Sequence, residues 1–181
     1  MFFDCIMAGF GGQGILSAGM ILAQLAVRKD LNVTWWPSYG AEQRGGTANC
    51  TVIISDEEIG SPIVSKPSYG FIMNRPSLDK FQPRFKEGAN VILDTSLVDT
   101  DLINRNDINF YGVKATEIAN KLGNTKVANM VMIGSLLAIS NLFELKDAED
   151  VLYYAIPKKY HSLLPINREA LKSGYTEVAK L

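Results

Sequence analysis

Cysteine is scarce in this sequence: Cys5 and Cys50 are the only two among 181 residues. Two thiols exclude a disulfide framework and cannot supply a CxxC metal or iron–sulfur spacing. Each lies in an apolar or β-branched stretch, so both are expected in the core of a protein kept in a reducing, cytoplasmic compartment. Histidine is scarcer still. His161 stands alone in Lys158-Lys159-Tyr160-His161, far from any glycine turn, and is expected at a surface or interface rather than as a base. No Ser–His–Asp arrangement, metal-ligand cluster or pair of acids at catalytic spacing can be written. Neither sign of charge dominates: 18 basic against 19 acidic residues leave a formal net charge of -1. Such a balance supplies no field for a nucleic acid backbone, and no basic stripe with interleaved aromatics occurs. The first residues carry no basic leader. The longest apolar run, Val127 to Phe143, is broken by Asn129, Ser135, Ser140 and Asn141 and falls short of the roughly 20 residues that span a bilayer. It reads as a buried helix, and a membrane is not expected as a partner.

What is present is an alternation of strand and helix signals over a length that suits one domain, 1–181. Apolar or β-branched runs predict strands at Phe2 to Ala8, Asn32 to Trp36, Thr47 to Ser55, Tyr69 to Met73, Asn90 to Leu93 and Ile108 to Val113. Helices are predicted over Ile15 to Val27, Asn74 to Phe81, Ala115 to Leu122, Lys126 to Asn141, Asp147 to Ala155 and Asn167 to Leu181. Gly134-Ser135 would let the fourth of these pack closely on a neighbour. Glu57 to Ser68, with Gly60, Pro62 and Pro67, reads as an irregular excursion. The class is α/β: a Rossmann-like domain with a mostly parallel sheet and helices on both faces. No helix separates the strands between Thr47 and Met73, so part of the sheet is expected to be antiparallel.

Gly9, Gly11 and Gly14 fit GxGxxG between a strand and a helix. The first glycine permits a tight turn, the second a close approach of ligand to backbone, and the third close packing of helix on strand. A helix N-terminus there favours an anion. Gly12 adds freedom and Gln13 a polar side chain. A dinucleotide is not predicted, because the second strand ends in Trp35-Trp36-Pro37-Ser38 where an acidic residue would hold the ribose. A mononucleotide P-loop is excluded by the lack of GxxxxGK[ST].

A second polar cluster lies between the second and third strands, with Ser38, Tyr39, Gly40, Arg44, Gly45, Gly46 and Thr47 as candidates. Arg44 sets a fork of donors beside backbone that can approach a phosphate or carboxylate. The alternative is a solvated loop in which Arg44 pairs with Glu42. Trp35 and Trp36 suit core or interface better than a stacking platform. Asp94-Thr95-Ser96 could line the same crevice or act as a helix N-cap. A ligand cradle without nucleophile, base or metal suggests a chain that completes another subunit's active site.

The run Gly9-Phe-Gly-Gly-Gln-Gly14, followed by Pro37-Ser-Tyr-Gly-Ala-Glu-Gln-Arg-Gly-Gly-Thr-Ala-Asn49, then Asp56-Glu-Glu-Ile-Gly-Ser-Pro62 and Val91-Ile-Leu-Asp94, resembles the gamma subunits of 2-oxoacid:ferredoxin oxidoreductases. The resemblance covers about the first three quarters of the chain. It implies a multisubunit enzyme that oxidatively decarboxylates a 2-oxoacid, transfers the acyl group to coenzyme A and passes electrons to ferredoxin or flavodoxin. It further implies that thiamine diphosphate, magnesium and iron–sulfur clusters belong to partner alpha, beta and delta subunits, and that this chain adjoins the coenzyme A side. The overall likeness points to 2-oxoglutarate. Two other readings stay open: a docking module with a purely structural glycine turn, and a free-standing nucleotide-binding module.

Overall fold

The computed structural model describes residues 1–38 and 47–181. Among these, the strands are β1 (Phe2–Phe10), β2 (Asn32–Ser38), β3 (Thr47–Ser55), β4 (Tyr69–Ile72), β5 (Asn90–Asp94), β6 (Asn109–Val113) and β7 (Ala179–Lys180). The helices are α1 (Ile15–Arg28), α2 (Arg75–Phe81), α3 (Ala115–Lys121), α4 (Ala128–Ser140), α5 (Leu145–Ala155) and α6 (Leu164–Glu177). One sheet holds all seven strands in the order β2-β3-β1-β4-β5-β6-β7.

β1, β4, β5 and β6 pair in parallel. β3 runs antiparallel to both β1 and β2, so β2 points the same way as β1. β7 is antiparallel to β6. The mostly parallel sheet expected from the sequence is therefore present, with β3 and β7 as the reversed strands. β1, α1 and β2 form a crossover unit whose gap is filled by β3, and α1 lies over that inserted strand. A Cβ on Gly19 of α1 would fall 2.7 Å from Cys50 Sγ of β3 and 2.8 Å from Trp35 Nε1 of β2.

Alternation along the strands sorts the core into two layers. Phe3, Cys5 and Met7 of β1, with Cys50, Val52 and Ile54 of β3, face α1, α3, α4, α5 and α6. Ile6 and Ala8 of β1, Ile72 of β4 and Val91 and Leu93 of β5 face α2 and the turns around it. Helices thus cover both faces, unequally. In α4 every residue from Ala128 to Leu137 is buried, as befits a helix apolar all round. It packs on α6 at the expected Gly134-Ser135: a Cβ on Gly134 would overlap the Leu171 carbonyl oxygen, and one on Gly174 the Val131 carbonyl oxygen.

The structure departs from the expected elements at several places, among them β2, which continues through Pro37 to Ser38 against β3, and α5 and α6, which begin at Leu145 and Leu164. β1 runs on through Gly9 and Phe10, because β3 supplies partners to its end. The C-terminal helix stops at Glu177, and the last residues return to the sheet as β7, docking Leu181 N–H on Phe110 O at 2.9 Å. A 3-10 turn over Lys158–Leu163 joins α5 to α6.

Both thiols are buried and free. Burial pushes Cys50 up to about 12, with the Trp35 indole opposing it in part, and burial also raises Cys5. Both remain neutral and shielded at pH 8, so a thiol reagent should report none in the native protein and two after denaturation. The linkage has a sign: the unfolded thiols ionise first, so stability should fall as pH rises from about 9 to about 12. Titration of the native chain at pH 8 checks the first expectation and denaturation midpoints across that window the second. Rapid native labelling would contradict the buried placement.

Candidate functional site

The glycine turn lies at the carboxyl edge of the sheet, between the end of β1 and the start of α1. Gln13 N–H donates to Phe10 O at 3.1 Å, closing the turn. The Gln13 side chain fastens it twice: Oε1 accepts from Phe10 N–H at 2.6 Å, and Nε2 donates to Met73 O at 3.3 Å. Gln13 thus ties β1 to the end of the neighbouring parallel strand β4. Chain leaves these two strands toward opposite faces, into α1 and α2, which makes their shared edge a topological switch point.

The glycines divide by role. A Cβ on Gly9 would meet Gln13 Oε1 at 2.7 Å and Ile15 Cδ1 at 2.8 Å, so this position is small for packing reasons. Gly14 caps α1 in the left-handed region at φ 76°, where other residues are strained. Its carbonyl accepts from Ala18 N–H at 2.9 Å and from Asn129 Nδ2 at 3.1 Å. Gly11 and Gly12 are exposed, and nothing stands within 4 Å of a Cβ built on Gly12. Gly12 is therefore exposed backbone with open space beside it. No side chain caps the first turn of α1 and no acid lies in it, so its N–H groups keep their partial positive character.

The second cluster meets the first through the sheet. Thr47 is the register partner of Phe10, and Ala48 that of Gly9. Ser38, exposed at the end of β2, is paired with Asn49 two strands from β1, about 10 Å away by strand spacing. The two ends of the second loop thus stand beside the glycine turn on one edge. Tyr39, Gly40, Arg44, Gly45 and Gly46 lie outside the described residues.

Asp94 does not line this crevice. It is fully buried, and its carboxylate accepts from Ser96 N–H at 3.1 Å, Thr116 N–H at 3.2 Å and Thr116 Oγ1–H at 2.6 Å. The N-cap signal in the sequence is thus realised across space, onto the first turn of α3. His161 packs on Tyr153 with ring centroids 4.7 Å apart, and its Nε2 lies 2.9 Å from Ile156 O, on the helical layer and away from the turn. Trp36 is exposed, whereas Trp35 packs against the core.

One site residue escaped the sequence reading. Asn129 is 4 % exposed and reaches 115 positions back to hold the Gly14 carbonyl. Its signal was visible as an amide interrupting the apolar run from Val127. Asn129 also lines a cavity of about 550 Å³ beside α1, bounded by Ser17, Met20, Trp35, Tyr160 and Leu163.

The chain matches the family model of pyruvate ferredoxin/flavodoxin oxidoreductase over residues 4–177. It belongs to that family. The family domain is 39% identical to ketoisovalerate oxidoreductase subunit VorA of Methanothermobacter marburgensis, over 93% of this chain and 35% of that protein. It therefore spans about a third of that relative's length. It is 37% identical to 2-oxoglutarate synthase subunit KorC of Methanocaldococcus jannaschii, over 96% of this chain and 92% of that one. The fold of this oxidoreductase-family domain is similar to part of a 2-oxoglutarate:ferredoxin oxidoreductase from Magnetococcus marinus, at TM-score 0.86 and 25% identity. That likeness covers 96% of this chain and 30% of the other, a structure with 2-oxoglutarate, coenzyme A and succinyl-CoA bound.

Proposed function

We propose that this chain is the gamma-type part of a 2-oxoacid:ferredoxin oxidoreductase, and that its glycine-rich edge helps hold coenzyme A. The observation that carries the reading is the pairing of Phe10 with Thr47, which sets the described ends of the second loop beside the glycine turn at one sheet edge, next to an uncapped helix. Open backbone at Gly12 and a first helical turn without acids suit a phosphate group. The M. marinus relative with coenzyme A bound supports the same ligand class.

In this reading coenzyme A supplies the thiol that accepts the acyl group, while this chain contributes binding and orientation. Thiamine diphosphate, magnesium and iron–sulfur clusters would reside in alpha, beta and delta partners, with ferredoxin or flavodoxin as the acceptor, in the cytoplasm. The substrate would be a 2-oxoacid, with 2-oxoglutarate favoured by the KorC relative, which aligns over nearly its full length. Other relatives are named for ketoisovalerate and pyruvate.

A specific observation favours the competing docking reading at three positions. Gly9, Gly14 and Gln13 each have a packing or hydrogen-bonding task that needs no ligand. Arg44→Ala in the assembled complex separates the two. Loss of one charge-assisted phosphate contact should raise the KM for coenzyme A about tenfold, with kcat at saturation little changed. An unchanged KM would remove Arg44 from the site and favour the structural reading of the turn.

A further inference from the structure

The two most exposed large apolar side chains among the described residues, Ile63 at 73% and Phe2 at 65%, line one groove. Single exposed apolar residues are ordinary, but two sharing a groove mark a surface built for contact. The groove, of about 360 Å³, lies at the amino edge of the sheet, at the other end of β1 from the glycine turn and roughly 26 Å from it by strand rise.

The segment that carries Ile63 is fastened along its length. Asp56 N–H donates to Met1 O at 3.3 Å, Arg84 Nη2 to Val64 O at 3.4 Å and Lys86 N–H to Pro67 O at 3.2 Å. Ser68 gives both its N–H and its hydroxyl to the buried Asp4 carboxylate at 2.6 Å. Ile63 and Phe2 belong to neither core layer, so a tethered backbone holds them in solvent. Lys66 and Lys86 also line the groove, both exposed and neither in an ion pair among the described residues. Asp4, the one acid of the lining, is occupied by Ser68; Asp56, Glu57, Glu58 and Glu87 do not line it.

Both ends of the domain meet this same edge. β1 begins there at Phe2, and β7, antiparallel to β6, runs back to it until Leu181 N–H docks on Phe110 O, one residue from the start of β6. The match to VorA runs over 170 residues, 93% of this chain but 35% of that protein. The remainder of VorA therefore joins its copy of the domain at one of these two ends, with the groove within reach.

We infer that the amino-edge groove seats the subunit that in VorA is the remainder of the same polypeptide, a partner presenting apolar side chains flanked by carboxylates. The inference rests on the reading of this chain as one part of a larger oxidoreductase. The domain is then held by its base, and the glycine-rich edge stays open at the far end of the strands.

The test adds the full chain back to the other subunits of its complex and measures the affinity. Ile63→Asp and Phe2→Asp change exposed side chains outside the core, so each should keep the thermal midpoint of the chain and weaken assembly roughly thirtyfold or more. Lys66→Glu combined with Lys86→Glu should weaken it about tenfold at low ionic strength and much less at high salt. Complexes formed with saturating Ile63→Asp should keep the wild-type KM for coenzyme A. Wild-type affinity in the folded Ile63→Asp and Phe2→Asp variants overturns the inference and leaves the oxidoreductase reading standing. A wild-type chain that binds no oxidoreductase subunit sinks both. If the chain alone sediments as a dimer that Ile63→Asp splits, with assembly unaffected, the groove seats a second copy and the inference is wrong.

Discussion

Gly134→Ala is expected to destabilise the protein by about 3 kcal/mol or more, at the upper end of overpacking costs. The added methyl would overlap the Leu171 carbonyl oxygen of α6, and Gly174 makes the reciprocal contact with Val131 of α4. Both obstacles are backbone, so no rotamer change relieves them and the helices must part. Parting also strains the bond from Ser135 Oγ to Gly174 O, now 3.0 Å. Alanine gains about 1 kcal/mol over glycine in helix propensity, which offsets only a fraction of the loss. Urea denaturation measures the difference. Gly60→Ala serves as a control, since nothing lies within 4 Å of a Cβ there, and should stay within about 0.5 kcal/mol. A loss below 1 kcal/mol for Gly134→Ala would mean that α4 and α6 are not in backbone contact.

Asp94→Ala should cost about 3 kcal/mol through a different cause. The carboxylate is the acceptor for Ser96 N–H, Thr116 N–H and the Thr116 hydroxyl, and its removal strands those donors around a buried position. α3 would also lose its cross-strand cap. Asp94→Asn keeps one acceptor oxygen but turns an amide donor toward Thr116, so an intermediate loss is expected. Denaturation midpoints rank the three proteins, and amide exchange at Thr116 should quicken most in the alanine variant. Equal stability of the alanine variant and wild type would show that the bonds to Asp94 do not hold α3.

The alternation of strands and helices was readable because each carries its own period and each is punctuated by glycine or proline. The glycine turn was readable for the same reason, but the roles within it differ: Gly9 sits in β1 and is small against Gln13 and Ile15, and Gly14 is the left-handed cap of α1 against Asn129 of α4. Contacts between distant residues were not. Nothing local to Asn129 says that its amide reaches Gly14, or that Gln13 will fasten onto Met73, since both bonds form only after the sheet orders its strands. β7 escaped notice because Ala179-Lys180 is too short to carry a pattern and is a strand only by virtue of β6 beside it. Asp94 misled in part: an acid at a strand end reads the same whether it points to a crevice or, as here, into the protein.

The reversed strand β3 acts as a ruler. Its register against β1 cannot slip by one residue without turning Cys50, Val52 and Ile54 out of their layer. The span between the anchor points of the two loops is therefore a single interstrand step, about 5 Å, set by backbone geometry alone. Chemistry at the rim can change from one family member to another while the aperture keeps its width.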